Sequence, residues 1–77
     1  MKFDIEIDAV GLLCPLPVLR LQKTLRTMKQ GECALLRATD PMAVIDIPSF
    51  CAMGVAELVD QQRRNGEDLY LVRKLEA

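Results

Sequence analysis

The sequence predicts a small α/β protein of the α+β type, a two-layer sandwich with two helices on one face of a four-stranded mixed sheet. Three observations carry that prediction. The hydrophobic period changes from two to about 3.6 and back along the chain. The changes give the element order βαβαββ, and 77 residues hold too little material for a third layer. A single domain spanning residues 1–77 is therefore expected.

The elements follow in order. Lys2 to Asp8 alternates charged and apolar residues, placing Phe3, Ile5 and Ile7 on one buried face of a first strand. Ala9 to Leu13 is a loop carrying Gly11. From Pro15 the apolar residues Val18, Leu21, Leu25 and Met28 recur at helical spacing, with Leu19 widening the stripe. Gly31 fits a C-terminal cap, so this helix is expected from Pro15 to about Gln30. Glu32 to Ala38 is apolar on both faces apart from Arg37, as in a central strand. Asp40-Pro41 then signals a helix start, with Asp40 as cap, and Asp46-Ile47-Pro48 signals another. Met42 to Gly54 reads as two short helical segments or one kinked helix. Val55 to Gln62 and Asp68 to Lys74 read as strands joined through a tight Asn65-Gly66 turn.

Composition narrows the function. A net charge of −1 argues against a dedicated nucleic-acid binder. No apolar run approaches the ~20 residues a membrane helix needs. Met1 to Asp8 contains no apolar core of a signal peptide, so a soluble, cytoplasmic protein is expected. Three cysteines and no histidine make neither a disulfide framework nor a zinc site, and no cofactor is expected.

Cys14 stands at the mouth of the first helix, followed by Pro15 and Pro17. No base is available in its sequence neighbourhood, so activation is expected from the helix N-terminus. A stabilisation of ~0.3–2 kcal/mol there would lower the thiol pKa by about 0.2–1.5 units. Cys33 and Cys51 read as packing cysteines, Cys51 having a resolving thiol for Cys14 as the alternative. Phe50 reads as core. Arg20, Lys23, Arg26 and Lys29 form a basic helix face that either docks an acidic partner or is simply solvated.

Several motifs in order resemble the TusA/SirA-like sulfur carrier family. They are Asp8-Ala9-x-Gly11-Leu12-x-Cys14-Pro15-x-Pro17, Lys23, Gly31-Glu32, Thr39-Asp40-Pro41 and Asp46-Ile47-Pro48-x-Phe50-Cys51. The resemblance covers roughly residues 3–74. It implies a sulfurtransferase-type carrier in which Cys14 bears sulfur as a persulfide, with Gly11, Pro15 and Pro17 as positioning residues of the motif. It also implies a protein sulfur donor, a cysteine desulfurase or a rhodanese-like protein, and an acceptor relay protein. Such relays feed tRNA thiolation, molybdenum-cofactor or sulfur-oxidation pathways. Direct contact with nucleic acid or membrane is not expected. Arg20, Lys23, Arg26 and Asp40 are the candidate partner contacts. The alternative is a non-catalytic adaptor that keeps the fold. The chain departs from the family pattern at Ala56, where many relatives have histidine.

Overall fold

A computed structural model describes residues 1–75. The elements run β1 (Ile5–Ala9), α1 (Leu16–Arg26), β2 (Cys33–Ala38), α2 (Ala43–Ala52), β3 (Ala56–Arg64) and β4 (Glu67–Lys74). The predicted order βαβαββ and the mixed four-stranded sheet are both present. The sheet order is β1-β2-β4-β3, with β1 parallel to β2 and the other pairs antiparallel.

The core lies between the sheet and both helices. Inward positions alternate along the strands: Ile7 and Ala9, then Ala34, Leu36 and Ala38, then Tyr70 and Val72. From the helices come Leu21 and Leu25 of α1, and Ala43, Ile47 and Cys51 of α2. The alanines at 9, 34, 38, 43 and 56 keep the facing surfaces shallow, which lets two short helices settle close to the strands. On the opposite face Leu35 and Leu71 pair across the β2–β4 ladder and are also buried. The stems of Arg37 and Arg73 line this side, with Arg37 paired to Glu6 and Glu67 and Arg73 to Glu57. Arg37 reaches both Glu67 oxygens, at 2.9 and 3.0 Å, and holds that carboxyl below its usual range.

Several boundaries differ from the expectation, each for a local reason. Helix α1 ends at Arg26 rather than Gln30, because threonine hydroxyls compete for its last carbonyls. Thr24 Oγ1 donates to the Arg20 carbonyl and Thr27 Oγ1 to the Thr24 carbonyl, while Lys74 Nζ takes the Met28 carbonyl. Gly31 therefore does not cap the helix, and its N–H instead joins the Lys74 carbonyl. The helix starts at Leu16, with Pro15 in the capping position and Pro17 within the first turn. Pro48 sits inside one continuous α2, so the alternative of two separate segments is not realised. Its missing N–H costs one hydrogen bond, which burial of Ile47 and Cys51 on either side offsets. Phe3 lies outside β1, 41% exposed, and lines a hollow on the open sheet face with Cys33 and Leu71. Cys33 is thus half-buried on that face and not a core residue, because Ala34 takes the inward position. Leu19 is exposed and stands outside the buried stripe of α1.

Asn65 and Gly66, both at positive φ, close the β3–β4 hairpin as the sequence predicts. Strand β3 is an exposed edge interrupted by a bulge between Leu58 and Asp60, an arrangement that resists edge-to-edge pairing.

Tyr70 is the largest wholly buried side chain, and its hydroxyl has no hydrogen-bond partner among the described residues. Burial pushes its pKa up to about 12. The folded state thus prefers the neutral phenol, a preference that is complete below the ordinary pKa near 10 and fades as pH rises toward 12. Tyr70→Phe removes an unpaired buried hydroxyl and should hold or raise the urea midpoint at neutral pH. It should also remove this tyrosine's share of the alkaline loss of stability, read by denaturation at stepped pH.

Candidate functional site

Parallel pairing of β1 with β2 decides where the site forms. The register sets Ala9 beside Ala38, so the loops that follow both strands leave the sheet side by side. The first loop carries Gly11 and Cys14, and the second carries Thr39 and Asp40. Three backbone N–H groups of the first loop are then fixed by side-chain oxygens. Val10 donates to Asp8 Oδ1 at 3.0 Å, Gly11 to Thr39 Oγ1 at 2.9 Å and Cys14 to Asp40 Oδ2 at 2.6 Å. Gly11 adopts φ +81°, a conformation that side-chain-bearing residues rarely adopt.

Asp40 does two jobs. Its second oxygen accepts the Met42 N–H at 3.1 Å, and its carbonyl accepts the Ala43 N–H, which opens α2. It is only 6% exposed, so its carboxylate serves the protein's own backbone and offers a partner little surface. Asp40→Ala removes the acceptor for two backbone donors at once. We expect a stability loss of about 1–3 kcal/mol by chemical denaturation, with Asp40→Asn falling between the two.

The Cys14 side chain is exposed and stands in a hollow of about 320 Å³. Pro15 and Val18 wall it from α1, and Asp46, Ser49, Phe50 and Met53 from α2. Around this end of the molecule large apolar side chains are left in solvent, with Leu13 67%, Ile45 60% and Met53 78% exposed. Phe50 is only partly buried, packing against the core while facing this hollow.

The direction of the Cys14 pKa is the reverse of the sequence-based expectation. Hydrogen bonding toward the Asp46 carboxylate, then desolvation, then the charges of Asp46 and Asp40 push the thiol up. The helix end has little to set against this. Leu16 and Leu19 spend their N–H groups on the carbonyls of Leu13 and Pro15 and Pro17 has none, so among the described residues of the first turn Val18 alone keeps an unspent donor. The surroundings of the thiol thus disfavour its thiolate form.

Asp46 is the site residue that sequence reasoning missed. It was visible only as part of a second helix-start signal. The usable clue is a second stripe on α2: residues 46, 49, 50 and 53 recur at helical spacing beside the buried stripe of 43, 47 and 51. The same geometry separates the cysteines. Cys51 belongs to the stripe facing the core, while Cys14 lies in the hollow lined by the other, and all three cysteines are free thiols.

Arg20 and Lys23 lie on the far side of α1, lining a smaller hollow of about 220 Å³ with Leu12, Leu16 and Leu19. Arg20 is partly committed, since its Nη1 donates to the Asp8 carbonyl at 3.0 Å. Arg26 sits exposed in the last turn of the same helix. Ala56 opens β3 within the core and is not among the residues lining the Cys14 hollow. Among the described residues no cluster of side chains is suited to hold a metal ion. No helix there is long and apolar enough to cross a membrane.

An exposed thiol presented by a strand-to-helix loop, on a sheet covered by helices on one face only, defines a class of small α/β thiol proteins. Comparison with known proteins gives the family within that class. Residues 5–74 match the model of the family described as sulfurtransferase TusA, and the chain belongs to that family. It is 45% identical over 74 residues to the sulfur carrier protein TusA of Pseudomonas syringae pv. syringae, covering 96% of this chain and 88% of the relative. To the sulfur carrier protein TusA of Allochromatium vinosum it is 42% identical over 72 residues, covering 94% and 95%. Among solved structures, the SirA-like protein of Desulfitobacterium hafniense superposes with a TM-score of 0.71 at 25% identity, covering 95% of this chain and all of that one.

Proposed function

We propose that this chain is a sulfur carrier in which Cys14 holds sulfane sulfur as a persulfide between a donor and an acceptor protein. The observation that carries this reading is the placement of Cys14. Its thiol is exposed, its backbone is clamped by Asp40, and it lies within residues 5–74, the part of the chain that matches the family model. In loading, the Cys14 thiolate attacks the outer sulfur of a donor persulfide and the donor leaves as a thiolate. In unloading, an acceptor thiolate attacks the outer sulfur on Cys14, which leaves in turn. Neither step needs a cofactor. Gly11, Pro15 and Pro17 shape the loop that presents the thiol.

A cysteine desulfurase or rhodanese-like protein is the donor class that fits this chemistry, and a relay protein with its own thiol is the acceptor class. Exposed Lys23 and Arg26, with Arg20, give α1 a basic flank that an acidic partner surface would match. We place the protein in the cytoplasm, where free thiols such as these three stay reduced.

Incubation with a cysteine desulfurase and L-cysteine, followed by intact-mass analysis without reductant, tests the proposal. The chain should gain the mass of one sulfur atom, and the gain should disappear on adding dithiothreitol. A chain that stays at its unmodified mass with both desulfurase and rhodanese-type donors would count against it.

A further inference from the structure

The hollow around Cys14 contains an acid with nothing to balance it. Asp46 faces the thiol from α2, and Asp40 stands behind the loop from the β2–α2 connection. The remaining walls, Pro15 and Val18 from α1 and Ser49, Phe50 and Met53 from α2, carry no charge. The nearest cations of α1, Arg20 and Lys23, line the other hollow. The ion pairs among the described residues involve Glu6, Glu57, Glu67 and Asp68, and neither Asp40 nor Asp46 is among them. Nucleophilic attack requires a thiolate, yet the group set against this thiol is an anion that opposes one.

We propose that Asp46 keeps resting Cys14 as a neutral thiol, and that the sulfur-exchanging partners dock an apolar segment bearing a lysine or arginine against Asp46, releasing the thiolate. This rests on the sulfur-carrier reading and adds the chemistry of the partner surface. Charge complementarity sets the cation, because an uncompensated carboxylate in an otherwise uncharged hollow is matched by a positive group. Exposed Leu13, Ile45 and Met53 set the apolar character of what surrounds it. Once the cation pairs with Asp46, the field opposing the thiolate is cancelled, and the proton leaves to solvent or to the departing donor thiolate. The free carrier is thereby guarded against chance oxidants and alkylators, since these react with the thiolate.

Two measurements on wild type and Asp46→Asn test the proposal. The first is the rate of iodoacetamide alkylation of Cys14 against pH, with folding checked by circular dichroism. Removing the carboxylate that faces the thiol favours the thiolate, so the variant should alkylate about 3–10-fold faster at neutral pH. The second is sulfur loading by a cysteine desulfurase at varied carrier concentration. There the variant should show a raised KM and a lower kcat/KM despite its more reactive thiol, because the docking cation has lost its counter-charge. Asp46→Glu should recover loading in part. Equal alkylation rates in both proteins would overturn the guarding role. Faster alkylation with equal or faster loading would overturn the cationic partner. Failure of the sulfur-carrier reading itself is separable, since wild type would then gain no sulfur while the alkylation comparison still stands.

Discussion

Replacing Cys14 with serine should abolish sulfur loading and leave the fold as it is. Little of the packing depends on the sulfur, because the side chain is exposed and the loop is held through its backbone N–H, which serine retains. The stability change should stay within ~0.5 kcal/mol, as for other surface substitutions. The hydroxyl cannot form a persulfide, so the desulfurase-dependent mass gain should vanish completely. The other cysteines give the contrast. Cys51→Ser should keep the mass gain and lose roughly 1–3 kcal/mol, because it puts a hydroxyl among core side chains. Cys33→Ser, on the open face, should change neither by much. A gain of sulfur that persists in the Cys14 variant and disappears in the Cys51 variant would move the site to α2.

Leu36→Ala should unfold a large part of the population under mild denaturant. Leu36 is fully buried on β2, an interior strand of the sheet, and its side chain faces both helices from the middle of the core. Truncating such a leucine costs about 2–5 kcal/mol, the lost transfer energy plus the cavity left behind. A small domain has roughly 5–10 kcal/mol in total, and this one has no disulfide to supplement its core. The urea midpoint should therefore fall by about a third or more with little change in slope. The outward neighbour Leu35 lies under arginine stems on the other face, so its alanine variant should cost less. Equal losses at 35 and 36 would mean that the two faces share the burden of stability more evenly than the packing indicates.

Much of this molecule was legible in the sequence because its elements are locally determined. The alternation from Ile5 to Asp8, the 21/25/28 stripe and the Asn65-Gly66 turn each name an element without reference to the rest of the chain. Cys14 was legible for a similar reason, since prolines and a glycine mark a presented loop. The reversed thiol acidity was not legible. It depends on Asp46, 32 positions away along the chain, and on a parallel β1–β2 register that no local pattern encodes. The burial of Cys33 was misread because an apolar strand does not say which of its two faces the helices cover. Helix α1 runs short of its apolar pattern because two threonines compete for carbonyls, and Met28 reaches the core from beyond the last turn.

The ladder also fixes which way the molecule can be tethered. Asp4 hydrogen-bonds to Cys33 at the start of β2, and Gly31 and Glu32 bond to Lys74 at the end of β4. Cys14 leaves from the opposite end of the strands, beyond the Ala9–Ala38 pair. A bulky neighbour joined before Asp4 or after Lys74 would thus hang from the far end of the sheet. An affinity handle or a fused protein at either place leaves the approach to the thiol open, and a surface-immobilised carrier would present its sulfur outward.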